Sequence, residues 1–195
     1  MKTAPDSWCA LPTPMGEFRM YDSGDEHVRV VCLGDLQSQG PQPLLRVHSS
    51  CLASEVFGAV DCDCADQLRE AMKLIATEGR GLIVHLHQEG RGQGLSQKIR
   101  AIHKMQQEGL DTAQAYDALG LDQDIRSYDA AVCLLRHLDI DAVRLISNNP
   151  RKVRYLQQHG VQVARVNTHP TIRPENAAYL QTKNEKLGHQ LPLGA

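Results

Sequence analysis

The sequence has no apolar run approaching the roughly 20 residues that span a bilayer, and Met1–Trp8 lacks the long apolar stretch of a signal peptide. Neither membrane insertion nor secretion is expected, and a cytoplasmic location is. An excess of one charge is also missing: 21 Lys and Arg stand against 23 Asp and Glu, a formal charge of -2. The chain therefore has no general attraction for nucleic acid or an anionic membrane, and any anionic ligand must be held by local groups. Repeats, linkers and low-complexity tracts are absent too.

What is present suffices for one substantial core, since 42% of the 195 residues are hydrophobic. Residues 1–14 mix prolines with polar residues without a sustained period, which predicts a flexible amino-terminal arm. Residues 15–195 are expected to form a single domain. Alternation in Glu17–Tyr21, His27–Leu33 and Leu44–His48 predicts strands. Leu68, Ala71, Met72 and Ile75 recur at helical spacing, and Gly79 supplies a stop before the strand Gly81–Leu86. A helix around Tyr128–Leu138, a strand Ala142–Ile146, a helix from Pro150 to about Gly160 and a strand Val161–Val166 follow. Helices alternating with strands give an α/β (α+β) expectation, a mixed β-sheet flanked by helices. The polar segment after Thr168 has no assigned element.

Six cysteines occur, and in a reducing compartment Cys9, Cys32 and Cys133 read as small apolar residues. Cys51, Cys62 and Cys64 differ, because the close Cys62-x-Cys64 pair favours metal over disulfide. Three thiolates hold zinc and leave a fourth position for water, the arrangement of a hydrolase. The alternative is a structural ion completed by His48, His85 or His87. Gln67 lies three residues beyond Cys64, where its amide suits the edge of a planar heterocycle or, more simply, the surface.

Gln88–Gly94 follows an apolar strand, and its glycines permit close backbone approach while Arg91 forks onto phosphate oxygens. It matches neither a phosphate-binding Walker loop nor a dinucleotide fingerprint, and an ordinary glycine-rich turn competes. Lys98 and Arg100 add positive charge nearby. Asp124-Ile125-Arg126 combines a proton acceptor with a phosphate contact, or else caps a helix. Ser147–Lys152 opens a helix after a strand, as an anion site or a simple cap. A nucleotide hydrolase satisfies all four motifs together.

In these motifs the sequence resembles the GTP cyclohydrolase II family over roughly Leu44 to Leu191. The resemblance rests on Arg46-Val47-His48-Ser49-x-Cys51, Cys62-Asp63-Cys64-x-x-Gln67, Gln88-Glu89-Gly90-Arg91, Lys98-Ile99-Arg100-Ala101 and Asp111-Thr112. Asp124-x-Arg126, Asn148-Asn149-Pro150-x-Lys152 and Thr182-Lys183-x-x-Lys186-x-Gly188-His189 complete it. It implies a zinc-dependent opening of the guanine imidazole ring of GTP, with release of formate and pyrophosphate and a diaminopyrimidine ribosyl phosphate as product, as in riboflavin biosynthesis. It implies one Zn2+ per chain on Cys51, Cys62 and Cys64, Mg2+ with the triphosphate, and a homodimer. Asp124 is implied as proton acceptor and Arg126 as nucleophile toward the α-phosphate, although an arginine stays protonated and a phosphate clamp is the physically simpler role. Nucleotide contacts are implied for Arg46, Val47, His48, Ser49, Ser50, Gln67, Glu89, Gly90, Arg91, Thr112, Ser147 and Lys152, with Gln67 on the base.

Several positions depart from the family pattern. Ser50 stands for Glu, Asp61 for Arg, His87 for Arg, Gly92-Gln93 for Asn-Ile and Ser147 for Thr, and Ile102-His103 occupies the place of a Tyr. These leave alternatives beside the full reaction: a diverged paralogue that stops at a ring-opened formamide or takes another nucleotide, or a noncatalytic zinc-containing nucleotide-binding protein.

Overall fold

Residues 7–192 are described by the computed structural model. The chain runs through β1 (Trp8–Thr13), β2 (Gly16–Tyr21), β3 (Val28–Leu33), β4 (Leu44–Ser49), α1 (Leu52–Glu55), α2 (Cys64–Glu78), β5 (Gly81–Leu86) and α3 (Leu95–Glu108). It continues through α4 (Thr112–Ala118), α5 (Asp129–His137), β6 (Ala142–Ile146), α6 (Pro150–Gln158), β7 (Gln162–Val166) and α7 (Ala177–Glu185). A 3-10 turn, Glu89–Gly92, precedes α3. None of the described helices is long and apolar enough to cross a membrane.

These elements cluster into two compact units, each discontinuous in sequence. The first holds the described residues of Met1–His48, with Gln67–His87 and Tyr128–Thr168; the second holds Ser49–Asp66, Gln88–Ser127 and the described residues of His169–Ala195.

A seven-stranded sheet in the order β1-β2-β3-β5-β4-β6-β7 makes the frame of the first unit. β1, β2, β3 and β5 pair antiparallel in turn, while β4, β6 and β7 pair parallel, so the sheet is mixed as expected. The arm expected over residues 1–14 lies outside the described residues at 1–6, but Trp8–Thr13 is an edge strand. Its pairing with β2 from Trp8–Tyr21 to Thr13–Gly16 supplies an order that its own sequence, broken by Pro12, does not advertise.

Alternation places Val28, Val30 and Cys32 of β3 on one face with Leu82, Val84 and Leu86 of β5, covered by Val132 and Leu135 of α5 and Leu156 of α6. The opposite face carries Phe18, Leu44, Ile83 and Ile146, covered by Ala71 and Ile75 of α2. Because both faces are covered, β5 carries apolar residues toward both, in Leu82, Ile83, Val84 and Leu86, rather than on one face alone. Full burial of Ile75, Leu82 or Leu145 contributes roughly 2 kcal/mol each. α2 ends where Gly79 turns its N–H back onto the Ile75 carbonyl at 2.9 Å. α6 begins with Pro150 at its first turn and the Asn149 side chain accepting from Arg151 N at 2.9 Å.

The second unit is mostly helical. Its apolar cluster is small, with Ala101, Ala115 and Tyr116 at the centre and Met105, Leu110, Leu119 and Leu121 against it. α4 is fixed by a capping box: Asp111 Oδ1 accepts from Gln114 N at 3.1 Å, and Gln114 Oε1 accepts from Asp111 N at 3.0 Å.

Candidate active site

In the second unit Cys51 caps the start of α1, and Cys64 opens α2. Two carboxylates satisfy the first N–H groups of α1, which have no partner within the helix. Glu55 Oε1 accepts from Cys51 N at 2.7 Å, and Glu89 Oε2 accepts from Leu52 N at 2.8 Å. Ser54 Oγ accepts from Ala65 N at 3.2 Å, which fastens the start of α2.

The result is that Cys51, Cys62 and Cys64 bring their sulfurs within 4.8 Å of one another. Cys51 Sγ and Cys62 Sγ are 3.8 Å apart. A tetrahedral ion with Zn–S bonds of about 2.3 Å requires sulfurs about 3.8 Å apart, so the donor set fits zinc. Hydrogen bonds from Cys62 and Cys64, with Lys98 assisting, hold the Cys51 thiol far below its ordinary pKa, while its partners and burial push Cys64 up.

Lys98, from α3, donates to Cys51 Sγ at 3.1 Å and to Glu89 Oε1 at 2.6 Å. Burial alone would lower its pKa, but the hydrogen bonds to Glu89 and Cys51 outweigh it and raise it, so the ammonium stays charged. The sequence marked Lys98 only as nearby positive charge. Its contact depends on the turn Glu89–Gly92, where Gly90 and Arg91 both adopt left-handed φ of 58°. A Cβ on Gly90 would lie 3.1 Å from Lys98 Cβ. Arg91 itself pays strain for that conformation and is held there by Ile125 N donating to its carbonyl at 3.1 Å, with its guanidinium over the Tyr116 ring. Tyr116 Oη donates to Gly90 O at 3.0 Å.

Asp124 and Arg126 form a bidentate pair. Asp124 Oδ1 accepts from Arg126 Nε at 2.9 Å and Oδ2 accepts from Nη2 at 2.7 Å, while Arg126 Nη1 approaches Ser49 Oγ at 3.5 Å. Thr112 is buried at the first position of α4. Ser50 Oγ is buried with no hydrogen-bond partner among the described residues.

The sequence agrees with this chemistry. A model of the family described as GTP cyclohydrolase II matches residues 5–168. The chain is 47% identical over 184 residues to a GTP cyclohydrolase-2 of Saccharophagus degradans, covering 92% of this chain and 91% of that protein. It is 46% identical over 187 residues to a GTP cyclohydrolase-2 of Pseudomonas syringae pv. tomato, covering 93% and 90%. The chain belongs to the GTP cyclohydrolase II family. It is 43% identical over 187 residues to the riboflavin biosynthesis protein RibBA of Bacillus subtilis, 93% of this chain but 46% of that protein. As a member of the GTP cyclohydrolase II family it is an enzyme, a hydrolase of that class, and it falls with the riboflavin biosynthesis proteins.

The remaining positions that the GTP cyclohydrolase II resemblance singled out lie in the first unit. Arg46, buried in β4, donates through Nη1 to Ile146 O at 3.0 Å, through Nε to His48 Nδ1 at 3.3 Å and through Nη2 to Gln67 Oε1. His48 stacks on His85 with ring centroids 5.4 Å apart, and His87 stacks on His27 at 5.5 Å. The buried Lys152 donates from Nζ to Val47 O at 2.8 Å and sits 5.6 Å from the Tyr128 ring centroid. Ser147 Oγ accepts from Asn149 N at 3.1 Å. Ser49, Ser50, Glu89, Gly90, Arg91 and Thr112 belong to the second unit with the cysteines.

Proposed function

We propose that this enzyme opens the imidazole ring of GTP by zinc-dependent hydrolysis and releases formate and pyrophosphate, leaving a diaminopyrimidine ribosyl phosphate. The observation that carries the reading is the 3.8 Å separation of the Cys51 and Cys62 sulfurs, the spacing of two thiolates on one zinc ion. Bound zinc supplies Lewis-acid activation of water for attack at the ring carbon between the two imidazole nitrogens. Lys98 offsets the negative charge that three thiolates accumulate. Gln67 reads the base edge, oriented by Arg46.

Arg91 and Arg126 hold phosphate oxygens, with Lys152, Ser147 and Thr112 as further nucleotide contacts and Mg2+ on the triphosphate. The orphaned Ser50 hydroxyl, with Ser49 and Glu89-Gly90, completes the proposed nucleotide set. Asp124 accepts the proton released during hydrolysis, its carboxylate held in place by the Arg126 fork. In this reading Arg126 acts as the phosphate clamp, because a guanidinium already committed to a bidentate ion pair is a poor nucleophile. The working protein is a homodimer in a reducing compartment, where the three thiols stay available to metal.

Zinc-loaded protein incubated with GTP and magnesium tests the reading, with formate, pyrophosphate and the pyrimidine followed separately. Equal release of formate and pyrophosphate is the expected result, and no consumption of GTP rejects it. A formamide that accumulates without formate would instead fit Ile102-His103 standing where the family has a Tyr.

A further inference from the structure

The motif Thr182-Lys183-x-x-Lys186 has no part in the chemistry above, yet α7 places its lysines on the rest of the second unit. Lys183 Nζ donates to Asp63 Oδ1 at 2.5 Å, and the two side chains are 7% and 0% exposed. Asp63 is the residue between the metal-site cysteines Cys62 and Cys64. Ahead of α7, Arg173 Nη1 donates to Asp66 Oδ2 at 2.5 Å, at the first turn of α2 that Cys64 opens. Lys186 donates to Asp111 Oδ2 at the start of α4. The carboxyl-terminal segment is in turn held to itself, since Asn176 Oδ1 accepts from Arg173 N at 2.8 Å and Nδ2 donates to Thr171 O at 2.9 Å.

Drawing a buried carboxylate away from an ammonium it contacts is costly, so the ion pair with Lys183 pins the loop that carries Asp63. Cys62 and Cys64 flank the pinned residue on both sides. Their sulfurs need a fixed mutual separation to share one ion, and groups that orient metal ligands without touching the metal govern how tightly it is held.

We propose that Lys183 is a positioning residue for the three-cysteine site: through Asp63 it fixes the Cys62–Cys64 loop in the geometry that a metal ion requires. The carboxyl-terminal helix thereby sets metal affinity. This rests on the zinc reading above and extends it to a segment outside the chemistry.

The test uses the full chain loaded with Co2+, whose thiolate charge-transfer absorption reports ligand geometry, and chelator competition for Zn2+ affinity. Lys183→Met is expected to weaken zinc binding by about 10–100-fold and to shift the cobalt absorption, with Lys183→Arg recovering much of both. Since Lys183→Met removes the ammonium that faces a buried carboxylate, Asp63→Asn/Lys183→Met removes both charges; it should fold and still bind zinc at least about tenfold more weakly. A merely structural lysine would lower thermal stability while leaving the cobalt spectrum of the folded protein unchanged. Wild-type affinity and spectrum in the double variant overturn the proposal alone. A wild-type protein that binds neither metal overturns it together with the zinc reading.

Discussion

Lys98 Nζ stands 3.1 Å from Cys51 Sγ and so delivers a half-buried positive charge to a cysteine of the three-sulfur cluster. Three thiolates leave a zinc ion with a net negative centre, which opposes the acidification of water. An ammonium in contact with one sulfur withdraws that charge. Lys98→Met should therefore reduce kcat by about 10–100-fold with a smaller change in KM, and Lys98→Arg should restore part of it. Steady-state formate release measures this; equal losses in Lys98→Met and Lys98→Arg would count against charge as the cause. The variant also leaves Glu89 buried without its cation, so a stability loss of about 3 kcal/mol is expected in denaturant melts.

The cysteines divide into two classes with different outcomes. Cys62→Ser and Cys64→Ser should each remove bound zinc and GTP turnover, whereas Cys9→Ser and Cys133→Ser, at exposed positions, should retain both. Metal analysis of the purified variants checks this directly. Retention of stoichiometric zinc by Cys64→Ser would contradict the assignment.

Arg126→Ala should lose pyrophosphate release by about 100-fold or more while zinc content stays unchanged, because the guanidinium contacts Asp124 and Ser49. Pyrophosphate and metal are quantified on the same sample. Normal turnover would take Arg126 out of the mechanism.

Asp111 gives a pH-dependent prediction. Burial pushes its pKa up, but Lys186 and the N–H groups of Gln114 and Ala113 outweigh this and hold it below the usual carboxylate range. A depressed folded-state pKa adds stability above the unfolded value of about 4, lost as pH falls through the lower folded value. Asn retains the helix cap but not the ion pair. Asp111→Asn should thus be less stable than wild type by about 0.5 kcal/mol at pH 6, with the gap closing below about pH 4. Thermal melts across that range read the difference, and a gap independent of pH would place its origin elsewhere.

Much of the sheet was legible because its strands carry their own signal: β3 alternates, β5 opens on the apolar run Leu82–Val84 and Pro150 marks the start of α6. β1 was not, since its side chains are mostly exposed and Pro12 interrupts its pattern; its order comes from β2. α7 lacks an apolar stripe because it buries Thr182 and Lys183 beside Leu180, so helical periodicity could not reveal it. The division into two units was hidden because each is assembled from three separated segments. In the site, the grouping of Cys51, Cys62 and Cys64 was readable from spacing alone. The Lys98–Cys51 contact was not, because it depends on two successive left-handed residues, one of them an arginine.

The partners Asp63 and Lys183 are 120 residues apart in the chain. At about 5–20 residues per second, a ribosome needs roughly ten seconds to travel that far, and for that interval the nascent chain displays its three thiols before α7 exists to brace them. Chains truncated before Lys183 should therefore emerge as poor zinc acceptors and ready substrates for oxidation.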